Sequence, residues 1–163
     1  MGTREFNGLR VMMALLSNWD LKDENNAIFQ DKDGQEEYLV TDVGTAFGAS
    51  GTRYTEAGSK NNLKAYHQSK FIAKVTPTYV DFDFPRFPPL LHIFDPPHYF
   101  HLVHMRWVGN RVPRPDAKWV GSLLSQLSTN QINDAFRAGG YPPDQAAAFA
   151  KVVQSRIAEL NQL

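Results

Sequence analysis

Asn18-Trp19-Asp20-Leu21-Lys22-Asp23-Glu24-Asn25, with Thr41-Asp42-Val43-Gly44 further on, is the stretch from which the rest of the chain is read. Upstream of it, Phe6, Leu9, Met12, Met13 and Leu16 recur at three- and four-residue steps, which predicts one apolar stripe on a helix from about Arg4 to Leu16. Between its two halves, the short apolar segments Ala27 to Gln30 and Tyr38 to Thr41 flank a polar link containing Asp33-Gly34, the signature of a tight turn. The expectation is an antiparallel hairpin whose turn lies far from its outer ends, so that those ends return Asn25 and Asp42 to neighbouring positions. Asp20, Asn25 and Asp42 are then expected to converge at one end of the domain.

Beyond Gly44 the glycines at 44, 48, 51 and 58 dilute a polar stretch without a sustained period, which reads as a long surface loop over 45–60. A helix is expected from about Asn61 to Ile72. Prolines at 77, 85, 88, 89, 96 and 97, interleaved with Phe82, Phe84, Phe87 and Phe94, forbid long helices there and predict an irregular packed segment. Tyr99 to Val108 is apolar enough for a buried helix or a buried strand, which periodicity alone does not separate over so short a run, and the reading leans to helix. Trp119, Val120, Leu123, Leu124 and Leu127 resume helical spacing, with Asp116 as the expected cap. Ser128-Thr129-Asn130-Gln131 has the form of a capping box for the next helix, Gly139-Gly140 stops it, and Pro142-Pro143 open a last one with the stripe Phe149, Val152, Val153, Ile157 and Leu160. The stripe at 149, 153, 157 and 160 should bury against the Trp119 to Leu127 helix. The expected fold is α+β, predominantly helical, one domain over 1–163 with one small antiparallel hairpin and a helical C-terminal unit over 116–163.

The 163 residues suit a single compact domain, and 42% hydrophobic residues supply enough apolar surface to close a core. Seventeen basic and seventeen acidic side chains cancel, so the chain lacks the positive field of a general nucleic-acid binder, and no nucleic-acid partner is expected. The absence of cysteine excludes disulfides, thiolate metal sites and a cysteine nucleophile. The longest apolar run near the start, Val11 to Leu16, is far below the ~18 residues of a membrane span, so no membrane segment is expected.

Rival motifs carry less. Asp31-Lys32-Asp33-Gly34 lacks the spacing of an EF-hand, because counting back from Gly34 puts Phe29 at the first ligand position, and it reads as a hairpin turn. His98, His101 and His104 stand three apart, a step that metal-binding helices do not favour, and read as ordinary packing or surface residues. The glycines at 44, 48 and 51 lack the Gly-Lys-Ser/Thr ending of a phosphate loop. Arg106, Arg111, Arg114 and Lys118 against Asp116 form a basic patch of net charge +3, read as a solvated loop. Trp19 reads as a core residue.

The spacing of Asp20, Lys22, Asn25 and Asp42, with a helix before them and a hairpin between the two motifs, resembles the catalytic loop and metal-binding motif of the protein-kinase C-lobe. In that resemblance Asp20 matches the catalytic Asp, Lys22 the loop Lys, Asn25 the metal-binding Asn, and Asp42 the metal-binding Asp of Asp-Phe-Gly, with Val43 replacing Phe. Asn18-Trp19 stands where typical protein kinases carry His-Arg, and no Ala-Pro-Glu follows, so the chain is more similar to the divergent HipA-type, phosphoinositide and secretory-pathway kinases.

The resemblance implies a magnesium-dependent phosphotransferase that moves the ATP γ-phosphoryl group to a hydroxyl acceptor. Asp20 would orient that hydroxyl and receive its proton, Lys22 would pair with the phosphoryl group, and Asn25 and Asp42 would hold magnesium. From Asp20 to Glu37 seven carboxylates face two lysines, a net charge of −5 that would repel a nucleotide without bound cations. Only nineteen residues precede Asp20, too few for an N-lobe, so the expected partners are the nucleotide, an N-lobe in cis from a longer parent chain, and the acceptor. The alternative expectation is a non-catalytic kinase-like binding or scaffold module.

Overall fold

The computed structural model describes residues 2–21, 26–48, 60–84, 93 and 96–163, with the side chains at 98, 101 and 102 excepted. Helix α1 spans Arg4–Leu15 and starts at Thr3, whose Oγ1 accepts the Phe6 N–H at 3.2 Å. The hairpin follows as β1 (Asn26–Gln30) and β2 (Glu36–Val40), antiparallel, with Asn26 opposite Val40 and Ile28 opposite Tyr38. Its turn is built by Asp31, whose Oδ1 accepts the N–H groups of Asp33 and Gln35 at 2.9 and 2.8 Å, and by Gly34 at φ +79°.

The middle of the chain departs from the sequence expectation. Helix α2 is only Leu63–Gln68, and Ile72 lies in a strand, because Ser69 takes extended dihedrals and closes the helix early. Strands β3 (Ile72–Val75), β4 (Tyr79–Phe82) and β5 (Val112–Pro113) form a second, three-stranded antiparallel sheet in the order β3-β4-β5. The expected single hairpin is therefore corrected to two small sheets. The physical reason sits in β4, where Val80 and Phe82 alternate inward on a segment between Pro77 and Pro85 that itself holds no proline, while Pro113 lies on the edge strand β5 opposite Tyr79.

Helix α3 (Pro96–His104) runs into a 3₁₀ turn at Met105–Val108, in agreement with the helical reading. Among the described side chains the helix is not buried, since Phe100 is 67% exposed and only Met105 and Val108 of the 3₁₀ turn reach the interior. Helix α4 spans Arg114–Leu124 and begins straight after Pro113, so Asp116 sits in its first turn and is not its cap. Proline is well suited to the first turn of a helix, and Asp116 instead accepts the Asn7 Nδ2–H at 2.7 Å, tying α4 to α1. Helix α5 (Thr129–Ala138) opens on the expected reciprocal capping box between Ser128 and Gln131, and α6 (Pro143–Asn161) closes the chain.

Side chains from both ends of the sequence share one buried cluster, in which Val11 and Leu15 of α1 join Phe149 and Leu160 of α6. Phe149, Val153, Ile157 and Leu160 are buried as expected, with α6 packed on both α4 and α5. The α4 crossing depends on Gly121, where an added Cβ would lie 2.8 Å from Leu160 Cβ and 3.1 Å from the Leu160 carbonyl carbon. Gly121→Ala is expected to cost about 1–3 kcal/mol by forcing the two helices apart, seen as a lower urea midpoint. Among the described residues no helix is long and apolar enough to cross a membrane.

Candidate functional site

The end of α1 aims the chain. Leu16 is the C-cap, Ser17 takes the left-handed conformation at φ +54°, its N–H donates to Ala14 O at 3.0 Å, and the Asn18 N–H reaches Met13 O at 2.9 Å. This is the two-bond helix ending that usually employs glycine. Serine at this position carries a further contact, because its Oγ accepts from Arg156 Nη1 at 2.9 Å.

The chain then buries Asn18 completely, at 0% exposure. Asn18 Nδ2 donates to the Asp42 carbonyl at 3.1 Å, while its Oδ1 accepts the Asp20 N–H at 3.1 Å and the Thr45 hydroxyl at 2.6 Å. One side-chain amide thus holds the backbone of Asp20, on the loop after α1, and that of Asp42, on the segment after β2. Phe47 extends the attachment by donating its N–H to Leu16 O at 2.7 Å. A buried amide whose donor and acceptor are both engaged fixes relative position, since breaking either bond leaves a buried polar group unmatched.

The two carboxylates have different settings. Asp42 is exposed, and its Oδ1 accepts the Gly44 N–H at 2.9 Å in a local turn that orients the carboxylate. Asp20 is half-buried, with its Oδ1 withdrawn from solvent. Lys22 and Asn25, the other two candidates, lie outside the described residues. The hairpin register sets Asn26 opposite Val40, so the residue after Asn25 faces one just two positions before Asp42. Beside this end lies a cavity of about 370 Å³ lined by Phe6, Leu21, Asn26, Ile28, Tyr38 and Trp107. Trp19 is buried and meets Phe84 edge-on at 5.0 Å between ring centres, a core role.

The donor set suits magnesium, which retains several waters and takes one or two carboxylates from protein. An exposed Asp42 with one oxygen set by a backbone N–H meets that requirement. Among the described residues no three His, Asp or Glu side chains gather into a closed metal cage. The side chains of His98 and His101 lie outside the described residues.

Behind the site stands Arg156 of α6, only 3% exposed. Its Nη1 donates to Leu15 O at 2.8 Å as well as to Ser17, and its Nη2 donates to Tyr66 O at 3.1 Å and Ser69 Oγ at 2.7 Å. The guanidinium also lies 3.9 Å over the Tyr66 ring. Carbonyls at the ends of α1 and α2 therefore receive the charge, an arrangement favoured by the negative ends of both helix dipoles.

Tyr66 donates its hydroxyl to Leu15 O at 2.6 Å, and burial pushes its phenol from 10.0 up to about 12, with Arg156 opposing. The folded state keeps a proton that the unfolded chain gives up. The resulting stability is whole below about pH 10 and is lost as the pH rises toward 12, by roughly 2–3 kcal/mol. Tyr66→Phe is expected to flatten that alkaline decline when urea midpoints are followed from pH 9 to 12.

Sequence reasoning named Asp20 and Asp42 but gave Asn18, Thr45 and Arg156 no role. The only available signal was Asn18 itself, an amide placed two residues before Asp20, where it accepts the i+2 N–H as Asn commonly does. Compared with family models, with curated proteins and with solved structures, the chain matches none.

Proposed function

We propose that this chain is the C-terminal lobe of a divergent, magnesium-dependent kinase-like phosphotransferase that moves the ATP γ-phosphoryl group to a hydroxyl acceptor. The observation that carries the reading is the double attachment of Asn18, which ties Asp20 and Asp42 to one buried side chain across the hairpin. Phosphoryl transfer depends mainly on positioning and charge neutralisation, and a rigid spacing between a proton acceptor and a metal-binding carboxylate serves both. Magnesium, when bound, neutralises charge on the phosphates.

Asp42, with Asn25, would hold that ion, and Lys22 would pair with the transferring group. Asp20 orients the acceptor hydroxyl and takes its proton as the acceptor oxygen bonds to phosphorus and the bond to the leaving diphosphate breaks. The apolar cavity beside Leu21 and Asn26, lined by Phe6, Tyr38 and Trp107, offers space for the nucleobase. The test is γ-phosphate release or transfer from magnesium-ATP by the full-length protein, expected to vanish to background in Asp20→Asn; release that is equal in the variant contradicts the assignment.

A second reading, a non-catalytic scaffold, is favoured by the exposed apolar side chains of the hairpin, Ile28 at 61% and Phe29 at 55%. It predicts neither nucleotide binding nor phosphate release.

A further inference from the structure

The Phe6 and Trp107 rings, which stack 5.9 Å apart and 9° from parallel, also line a second cavity of about 630 Å³. Arg10, Arg106 and Arg111 all line it, His104 stands beside them, and among the described residues no carboxylate lines it. In a chain of zero net charge this is a pronounced local excess of positive charge. Two carboxylates bond its lining residues: Asp116 accepts from Asn7 Nδ2, and Asp81 accepts the backbone N–H of Arg111 at 2.7 Å.

The three arginines divide the work. Arg10 donates to the carbonyls of Trp107, Val108 and Asn110, so it builds the turn that carries the other two. Arg106 and Arg111 are exposed, and among the described residues neither guanidinium has a hydrogen-bonded acceptor or an acidic partner. Arg111 further sits at φ +51°, a conformation costly for any residue with a Cβ. Gly109, two residues earlier, cannot be exchanged with it, since a Cβ there would meet Trp19 Cζ3 at 2.9 Å. The strained position thus holds an arginine where glycine would cost nothing, and its guanidinium is laid 5.2 Å over the Tyr79 ring. Strain retained at a side chain that faces a cavity points to a use for that side chain.

We infer that this cavity binds a phosphate monoester carrying a planar aromatic group, with Arg106 and Arg111 holding the phosphate oxygens and the Trp107 and Phe6 rings facing the aromatic part. Guanidinium groups match the paired oxygens of phosphate, and the adjoining rings add apolar contact that a bare anion does not use. This cavity shares the Phe6 and Trp107 rings with the one proposed for the nucleobase, but its arginines are not among the residues proposed for phosphoryl transfer.

The test is calorimetric titration of the protein with phenyl phosphate, inorganic phosphate and phenol. Phenyl phosphate is expected to bind, inorganic phosphate at least tenfold more weakly, and phenol not measurably. Arg106→Gln and Arg111→Gly should each weaken phenyl phosphate at least tenfold, whereas Lys151→Gln, at an exposed position of α6 that does not line the cavity, should not. Because glycine relieves the left-handed strain, Arg111→Gly should keep or raise the melting temperature, which separates lost binding from lost folding. No binding of phenyl phosphate, unchanged binding in both arginine variants, or inorganic phosphate binding as tightly as phenyl phosphate would each overturn the assignment.

Discussion

Replacing Arg156 with methionine is expected to remove about 3 kcal/mol of folding stability, a large share of the ~5–15 kcal/mol typical of a domain. Methionine fills much of the same volume, so the loss measures the polar partners and not a cavity. The hydroxyls of Ser17 and Ser69 would lose the donor they accept from, and the carbonyls of Leu15 and Tyr66 would each lose one of two, keeping the Tyr66 and Ser69 hydroxyls respectively. Desolvation depresses the Arg156 pKa, with Tyr66 and Glu159 opposing. Arg156→Lys should recover only part of the loss, since an ammonium has three donors and cannot span both helix ends as a planar fork does. Urea titration gives the comparison; a change below 1 kcal/mol for the methionine variant would show that the acceptors find other donors.

Asp20→Asn and Asp42→Asn are expected to damage activity in different ways. Asparagine at 42 keeps an oxygen for the Gly44 N–H and so preserves the turn, while removing the charge that favours a divalent cation. The variant should raise the KM for magnesium-ATP as well as lower kcat. Asparagine at 20 retains the Asp20 N–H bond to Asn18, which is a backbone contact, but cannot take a proton from the acceptor. Its kcat should fall by ~100-fold or more with KM for nucleotide nearly unchanged, the usual scale for a positioned acid or base. Equal effects of both substitutions on KM would contradict the division of roles.

Elements with a complete local signature could be read directly from the sequence. The α1 stripe, the Asp-Gly hairpin, the Ser128 capping box and the apolar face of α6 each carry their own period or cap, and each stands close to where it was expected. The second sheet could not be read in this way, because β3 and β5 are four and two residues long and acquire their ladders only by meeting β4. Proline misled at α4, where Pro113 and Pro115 start the helix and Asp116 is drawn to Asn7, more than a hundred residues away in sequence.

The site divides along the same line. Asp20 and Asp42 stand out by spacing, whereas the residues that fix them act through partners remote in the chain. Asn18 reaches Thr45 across the hairpin, and Arg156 reaches Leu15 and Ser17 across 139 residues or more. No local pattern marks an arginine on an apolar helix face as the residue that will satisfy two helix ends. That information exists only once α1, α2 and α6 are packed together.

The measurement that bears most directly on the proposed phosphotransferase is calorimetric titration of the full-length protein with a nonhydrolysable ATP analogue, in the presence and absence of magnesium. If Asn18 holds Asp42 where a nucleotide-bound ion sits, binding should require magnesium and should weaken at least tenfold in Asp42→Asn. No binding with magnesium present, or binding of equal strength without it and in the variant, would contradict the account.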